Sequence, residues 1–361
     1  MTAAPAELLR QALLEPHACL AWSALQWERL LQQARRANLL ARLGLGFERA
    51  GLIADLPAGP RRHFEAIRRV TDSQRRAVRW ELRQIDAALR GLALPVVLLK
   101  GAAYVMAEMP AADGRLFADI DILVPREGIA AVETSLMAEG WQSGSDDAYD
   151  QRYYRQWMHE IPPLQHLTRD SVIDVHHNIL PLTGRIKVDA ARLLERIVPL
   201  PGQPGFFRLG DADMVLHSAC HLFLDGEFDK GLRDLVDLDA LLRHFGAAAA
   251  FWPDLLARSQ ELGMQRVLFY ALRYAGRLLA TPIPAGLEAT LASAAPPAWQ
   301  LRWMDAIFER ALRPDHSSCA DRFTGAARRW LYLRAHWMRM PTHLLLMHLT
   351  VKALRREPEP A

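Results

Sequence analysis

The sequence predicts an α/β (α+β) protein, a small mixed-sheet core flanked by N-terminal and C-terminal helical regions. Three observations carry this. Both ends of the chain hold long stretches with apolar residues at three- and four-residue spacing. Between them, PVVLLK and ADIDILVP are short apolar runs of strand texture joined by a short helix and turn. A hydrophobic fraction of 51% with 24% charged residues belongs to a chain that buries a core, which excludes wholesale disorder.

Residues 1–91 read as an N-terminal helical region. Leu20, Leu25, Leu30, Leu31, Leu39 and Leu43 follow helical spacing, LPAGP at 56–60 is a break, and a long helix continues through Phe64, Ile67, Val70, Val78, Leu82, Ile85 and Leu89. Trp22, Trp27 and Trp80 read as packing residues. Residues 92–200 read as the α/β core. Strands are expected at about 95–99 and 119–124, separated by a helix from GAAYVMAEM and a turn-rich PAADG, and followed by a helix over REGIAAVETSLMAEGW. GSDDAYD reads as a loop. HEIPPLQHLTRDSVIDVHHNIL reads as two paired strands, at 159–168 and 171–177, with Pro162 and Pro163 marking an edge or bulge in the first. PLPGQPG at 199–205 reads as a linker, and residues 201–361 as a C-terminal helical domain.

Composition narrows the classes of function. The net charge of +3 is spread along the chain, so there is no basic tail aimed at nucleic acid. Only Lys100, Lys187, Lys230 and Lys352 are lysines among 44 basic residues, which singles out a lysine placed beside a candidate site. Cys19, Cys220 and Cys319 lie far apart with no metal-finger spacing, and an odd count argues against a secreted disulfide framework. The N-terminus lacks the basic and apolar segments of a signal peptide, and LLLMHLTV is far short of the ~20 residues needed to span a bilayer. The expectation is a reducing, cytoplasmic compartment and no membrane span.

The chemistry concentrates in FADIDILV. On a strand, Asp119 and Asp121 face the same way, and two acids in an apolar run are costly to bury unpaired. A divalent cation offsets that cost, Mg²⁺ characteristically taking one or two carboxylates plus substrate phosphates. An edge strand with two solvated acids is the other reading of the same pattern. Lys100 and Gly101 stand where the strand before passes into a helix, a place suited to phosphate, and Arg115 can fork onto one. Neither GxxxxGK[ST] nor GxGxxG is present. Asp174 in SVIDVHHNI is the candidate third acid, with His176 on its face and His177 pointing away.

Together these residues resemble a known group. LPVVLLKGAAYVMAEMPAADGRLFADIDILVP is similar to the central motif of the uncharacterised nucleotidyltransferase family of the DNA polymerase β-like superfamily. VIDVHHNI resembles its later Asp-x-His strand, and HSACHLFLDGEFDKGLRDLVDLDALL its helical stretch of histidines and aspartates; the likeness spans roughly residues 90–245. The resemblance implies a Mg²⁺- or Mn²⁺-dependent transfer of a nucleoside monophosphate from an NTP to an acceptor hydroxyl. Asp119, Asp121 and Asp174 match the catalytic and metal-binding acids. Lys100, Gly101, Arg115 and His176 would serve the nucleotide. Where members of the superfamily have Gly-Ser, this chain has Gly101-Ala102, so the serine hydroxyl is missing.

Other polar residues point less sharply. His217 and His221 share a helix face, readable as a metal site with Asp225 or as a polar surface or lid turned to the core. Arg233 and Asp237 have the spacing of an ion pair. RRWLYLRAHWMRM interleaves arginines with aromatics, which suits a nucleic-acid backbone, yet Trp330, Leu331 and Trp337 fit packing better. The acceptor is open between a small molecule, a sugar, a protein and an RNA end. The competing functions are a catalytically weak nucleotide-binding or protein-interaction module and a metal-dependent phosphohydrolase.

Overall fold

The computed structural model describes residues 5–145 and 147–354. Seven strands form one mixed sheet: β1 Val96–Leu98, β2 Ile120–Leu123, β3 Trp141–Ser143, β4 Leu164–His166, β5 Val172–His176, β6 Val198–Pro199 and β7 Phe206–Arg208. Their spatial order is β3-β4-β5-β2-β1-β7-β6. The two most buried strands, β1 and β2, run antiparallel, while β2 and β5 run parallel with Asp121 opposite Asp174. The expected neighbours at 95–99, 119–124 and 171–177 therefore lie side by side in the middle of the sheet.

Helices cover the sheet because its apolar faces must be buried. The 32-residue helix Ala58–Leu89 starts after Pro57 and packs on Leu40–Arg49, Lys100–Met106 and Ile129–Ala138. It buries Phe64, Val78, Leu82, Ile85 and Leu89 of the stripe its sequence spacing predicts, while Ile67 is half-buried and Val70 is exposed. Ser23 and Gln26 close a capping box on Ala24–Arg36. On the C-terminal side, Asp211–Leu224 is buried on nearly every face, between Gly231–Phe245, Phe251–Glu261, Gln265–Leu279 and Thr324–Arg339. One apolar core runs from Leu9 to Leu331 through all three regions of the chain. Among the described residues, no helix is long and apolar enough to cross a membrane.

Three local readings change. The segment at 199–205 is the turn of hairpin β6–β7, and β7 pairs in parallel with β1, so the chain returns to the sheet beyond residue 200. The expected strand over 159–168 survives only as β4 and an isolated bridge between Glu160 and His176, because Pro162 and Pro163 cannot donate to a ladder. GSDDAYD runs into a short helix, Ala148–Arg152, capped by Asp147; Asp146 lies outside the described residues. Trp27 is buried as a packing residue, whereas Trp80 is 43% exposed with the Arg169 guanidinium 5.4 Å from its ring centre. Gly114 has to be glycine: its φ is +66°, and a Cβ would stand 2.4 Å from the backbone nitrogen of Arg42.

Two tests of stability follow from this core. Arg258 is 1% exposed, its guanidinium donates to both carboxylate oxygens of Asp213 at 2.6 and 2.9 Å, and it also donates to the carbonyl of Arg192. Arg258→Met should cost about 3–5 kcal/mol in denaturant unfolding by stranding the Asp213 charge, and pairing it with Asp213→Leu should recover much of that loss. His177 is buried behind β5; burial, then the nearby Arg126 and His176 charges, pushes its imidazole down to about 4. The unfolded chain takes up that proton near pH 6.5, so this contribution to stability is present above 6.5 and lost as pH falls toward 4. By pH 5 the loss is about 2 kcal/mol, and His177→Gln should flatten the pH dependence of the unfolding midpoint by that amount.

Candidate functional site

The site forms where β1 leaves the sheet. Strand β1 ends at Leu98, the amide of Leu99 donates to the carbonyl of Asp121, and Lys100 takes a left-handed backbone with φ of 42° before the short helix Lys100–Met106 begins. A lysine in that region costs of order 1 kcal/mol or more, so surrounding contacts must hold it. They include its own side chain: Lys100 Nζ lies 3.0 Å from Asp121 Oδ1. The same oxygen lies 3.2 Å from Nε2 of His176.

Asp121 is 4% exposed. Burial alone would raise its pKa, but the Lys100 ammonium and His176 hold it well below the usual carboxylate range. Asp174 sits directly across on β5. Burial, then the charge of Asp121, pushes its carboxyl up to about 7, and its Oδ1 is buried without a hydrogen-bond partner. Adjacent strands lie ~4.8 Å apart, so the two acids are close neighbours with opposite electrostatic surroundings. Asp119, one residue before β2, is exposed and stands at the mouth of the site beside Asp121.

Two cavities meet at this point. The outer one, about 320 Å³, is lined by Lys100, Asp119, Asp121, Arg115, Lys230 and Arg233. The inner one, about 280 Å³, is lined by Lys100, Asp121, Asp174, His176, Tyr153, Tyr154 and others. Lys100, Asp121, His221 and Asp225 border both. His217 and His221 thus face the core from the buried helix Asp211–Leu224, the second of the two readings of their spacing. Burial depresses the His217 imidazole well below its ordinary value; at His221 the Lys100 charge, then burial, brings it to about 4.

Two sequence-predicted residues do something other than expected. At Gly101 the space a side chain would fill belongs to the chain itself: a Cβ there would stand 2.7 Å from the Phe117 ring and 3.0 Å from Arg115 Nε. The glycine admits the Phe117 and Arg115 side chains and also lines the outer cavity beside Lys100. Arg115 borders the outer cavity, but its guanidinium pairs with Asp237, which also takes Arg42 Nη2 at 3.1 Å. Arg233, for its part, pairs with its neighbour Asp234 and not with Asp237. The i,i+4 spacing of Arg233 and Asp237 is overridden because Asp237 faces two arginines from the N-terminal side and the 115 loop.

The sequence reading passed over His159 and Glu160, taking them as the start of a strand. They follow a single wide turn of helix over Tyr153–Trp157, a geometry common at functional sites. The bridge to His176 brings Glu160 Oε2 within 3.1 Å of His176 Nδ1, and the His159 ring stacks on His176 with centres 5.2 Å apart. One ligand atom from each of His159, Glu160 and His176 falls within 4.8 Å of the others, so these three residues can hold a metal ion. The only sequence signal was the adjacent His-Glu pair ahead of two prolines. Arg339, from the end of the C-terminal helix Thr324–Arg339, closes the inner cavity and pairs with Asp225.

No curated protein and no solved structure gives a significant match to this chain. A family profile described as an uncharacterised nucleotidyltransferase matches residues 23–280, from the helix Ala24–Arg36 through the sheet into the C-terminal helices, and takes in the outer cavity and all of the inner one but Met338 and Arg339. That span is well over half of the 361 residues, and the chain belongs to the uncharacterised nucleotidyltransferase family of the DNA polymerase β-like superfamily.

Proposed function

We propose that the protein transfers a nucleoside monophosphate from an NTP to a hydroxyl of an acceptor, with the triphosphate in the outer cavity and the acceptor in the inner one. The observation that carries this reading is the register of Asp121 against Asp174 across β2 and β5, with Asp121 on the wall the two cavities share and Asp174 lining the inner one. A non-catalytic nucleotide-binding module would not require two neighbouring carboxylates in such different electrostatic states.

The donors suit a hard divalent cation. Asp119 and Asp121 offer carboxylate oxygens to a cavity that Lys100, Arg115, Lys230 and Arg233 also line, and the Asp174 Oδ1 lacks a hydrogen-bond partner among the described residues. Asp119 and Asp121, with Asp174 completing the cluster, would hold Mg²⁺ or Mn²⁺. Such an ion neutralises charge on the phosphates and the leaving pyrophosphate. Lys100 keeps Asp121 ionised and oriented, and with Arg115, Lys230 and Arg233 brings cationic groups to the outer cavity, whose lining also holds Asp225, Glu227, Asp229 and Asp234. Asp237 and Asp234 fix the direction of Arg115 and Arg233. Asp174 accepts the proton of the acceptor hydroxyl as its oxygen bonds to the α-phosphorus, while the bond from that phosphorus to the pyrophosphate oxygen breaks. His176 positions Asp121 through their hydrogen bond.

A labelled-NTP assay with Mg²⁺, run across small-molecule, sugar, protein and RNA acceptors, tests the roles. Asp174→Asn should lower transfer ~10²–10⁴-fold by removing the base and leave NTP affinity close to wild type, because Asp119 and Asp121 still hold the ion. Asp121→Asn should abolish both transfer and Mg²⁺-dependent NTP binding, with thermal unfolding as the control for loss of fold. Wild-type transfer undiminished in both variants would reject the site. Lys100→Met should weaken Mg²⁺–NTP binding in titration calorimetry, and unchanged affinity would confine Lys100 to its contact with Asp121.

A further inference from the structure

The acids on β2 do not use His159 and Glu160, yet these residues and His176 are gathered with the habits of a metal centre. Their ligand atoms converge to within 4.8 Å. Ligands about 2.1 Å from a common ion stand roughly 3–3.5 Å apart, and His176 Nδ1 and Glu160 Oε2 are 3.1 Å apart. Among the described residues neither His159 Nδ1 nor His176 Nδ1 has a hydrogen-bond partner, although both atoms are buried. At His176 this holds despite the nearby Glu160 oxygen: the two atoms are close without being aligned as donor and acceptor. The other ring nitrogen of His176 is already used, by Asp121 Oδ1 at 3.2 Å. A carboxylate on the far nitrogen of a histidine is the outer contact that orients histidine ligands of metals.

We propose that His159, Glu160 and His176 form a second metal site, separate from the Asp119 and Asp121 carboxylates, for a first-row divalent transition ion of which Zn²⁺ is the representative. Two imidazoles and one carboxylate favour such an ion over Mg²⁺, which prefers oxygen donors throughout. The backbone holds the set in place: His177 donates its amide to the carbonyl of His159 at 2.8 Å, and Ile161 donates to Val175 at 3.1 Å, so the 159–161 segment is tied to the end of β5. His159, Glu160 and His176 all line the inner cavity, and an ion held there is open to an oxygen or nitrogen donor of whatever enters it. This inference does not depend on nucleotidyl transfer. A chelating or metal-binding group is therefore the chemistry expected of the inner cavity's ligand, whichever reaction the acids perform.

The test uses tag-free full-length protein, stripped with a chelator and then loaded with Zn²⁺ or Co²⁺ in excess Mg²⁺. Metal content after gel filtration and the visible absorption of bound Co²⁺ are the readouts. One equivalent should remain on wild type and on Asp119→Asn, and bound Zn²⁺ should raise the unfolding midpoint. His159→Ala and Glu160→Gln should each weaken binding about tenfold or more. Glu160→Gln keeps the shape of the side chain, so a folded Glu160→Gln protein that retains Zn²⁺ as wild type does would overturn the proposal. So would wild type that holds no equivalent of either ion, or binding lost in Asp119→Asn and untouched in the other two. Because the readout is metal content and not transfer, failure here leaves the reading of the acidic site standing, and failure of the transfer assay leaves this one.

Discussion

Everything at the centre of this protein depends on keeping one carboxylate, Asp121, ionised inside the sheet. Taking a charge of that size out of water carries a penalty of several kcal/mol. Two cationic or hydrogen-bonding groups converge on the same oxygen to offset it, Lys100 at 3.0 Å and His176 at 3.2 Å. The geometry of each supporting element follows. β1 must end beside β2 so that Lys100 can reach, and the lysine backbone enters the left-handed region as the strand gives way to helix. β5 must lie parallel to β2 in the register that brings Asp174 level with Asp121 and His176 level with Leu123.

The same constraint separates the behaviour of neighbouring acids. Asp121 is surrounded by positive groups and stays charged; Asp174, half-buried, meets the charge of Asp121 and holds its proton up to about neutral pH. Two carboxylates pushed apart in this way are the usual basis for assigning different chemical roles within one site. The wall containing Asp121 also divides the space: the outer side is lined by arginines, lysines and further acids, the inner side by aromatic, histidine and glutamate side chains together with Lys100 and Arg339. A reaction that joins a phosphorylated donor to a second molecule needs two such compartments meeting at the reacting atoms.

The charged residues around the outer cavity are organised by partners of their own. Asp237 draws Arg42 and Arg115 together, and through Arg42 Nη2 and the carbonyl of Ala111, 2.7 Å apart, ties the N-terminal helices to the loop that leads through Asp119 into β2. The family match beginning at residue 23 is consistent with this: the N-terminal helices are built into the site's support. In the same way Arg339 brings the end of a C-terminal helix onto the inner cavity.

The sequence by itself determined the strands that matter and the acids on them. β-branched and leucine runs at 96–98, 120–123 and 172–176 have one stable fate, burial in a sheet, and a carboxylate embedded in such a run stands out because it is expensive there. It also carried the family, since Lys-Gly, Asp-Ile-Asp and Asp-x-His lie in short segments whose order is fixed along the chain. What only the tertiary structure decided was which partner each side chain meets. Asp237 pairs with arginines far away in sequence and not with the arginine one turn before it, because a buried carboxylate goes to the charges that are buried with it. Gly101 makes room for Phe117, a contact no local pattern encodes. Glu160 reaches His176 only because two prolines interrupt the strand that holds it and leave a single bridge to β5, so its place in the site depends on a backbone pairing between segments that spacing alone cannot relate.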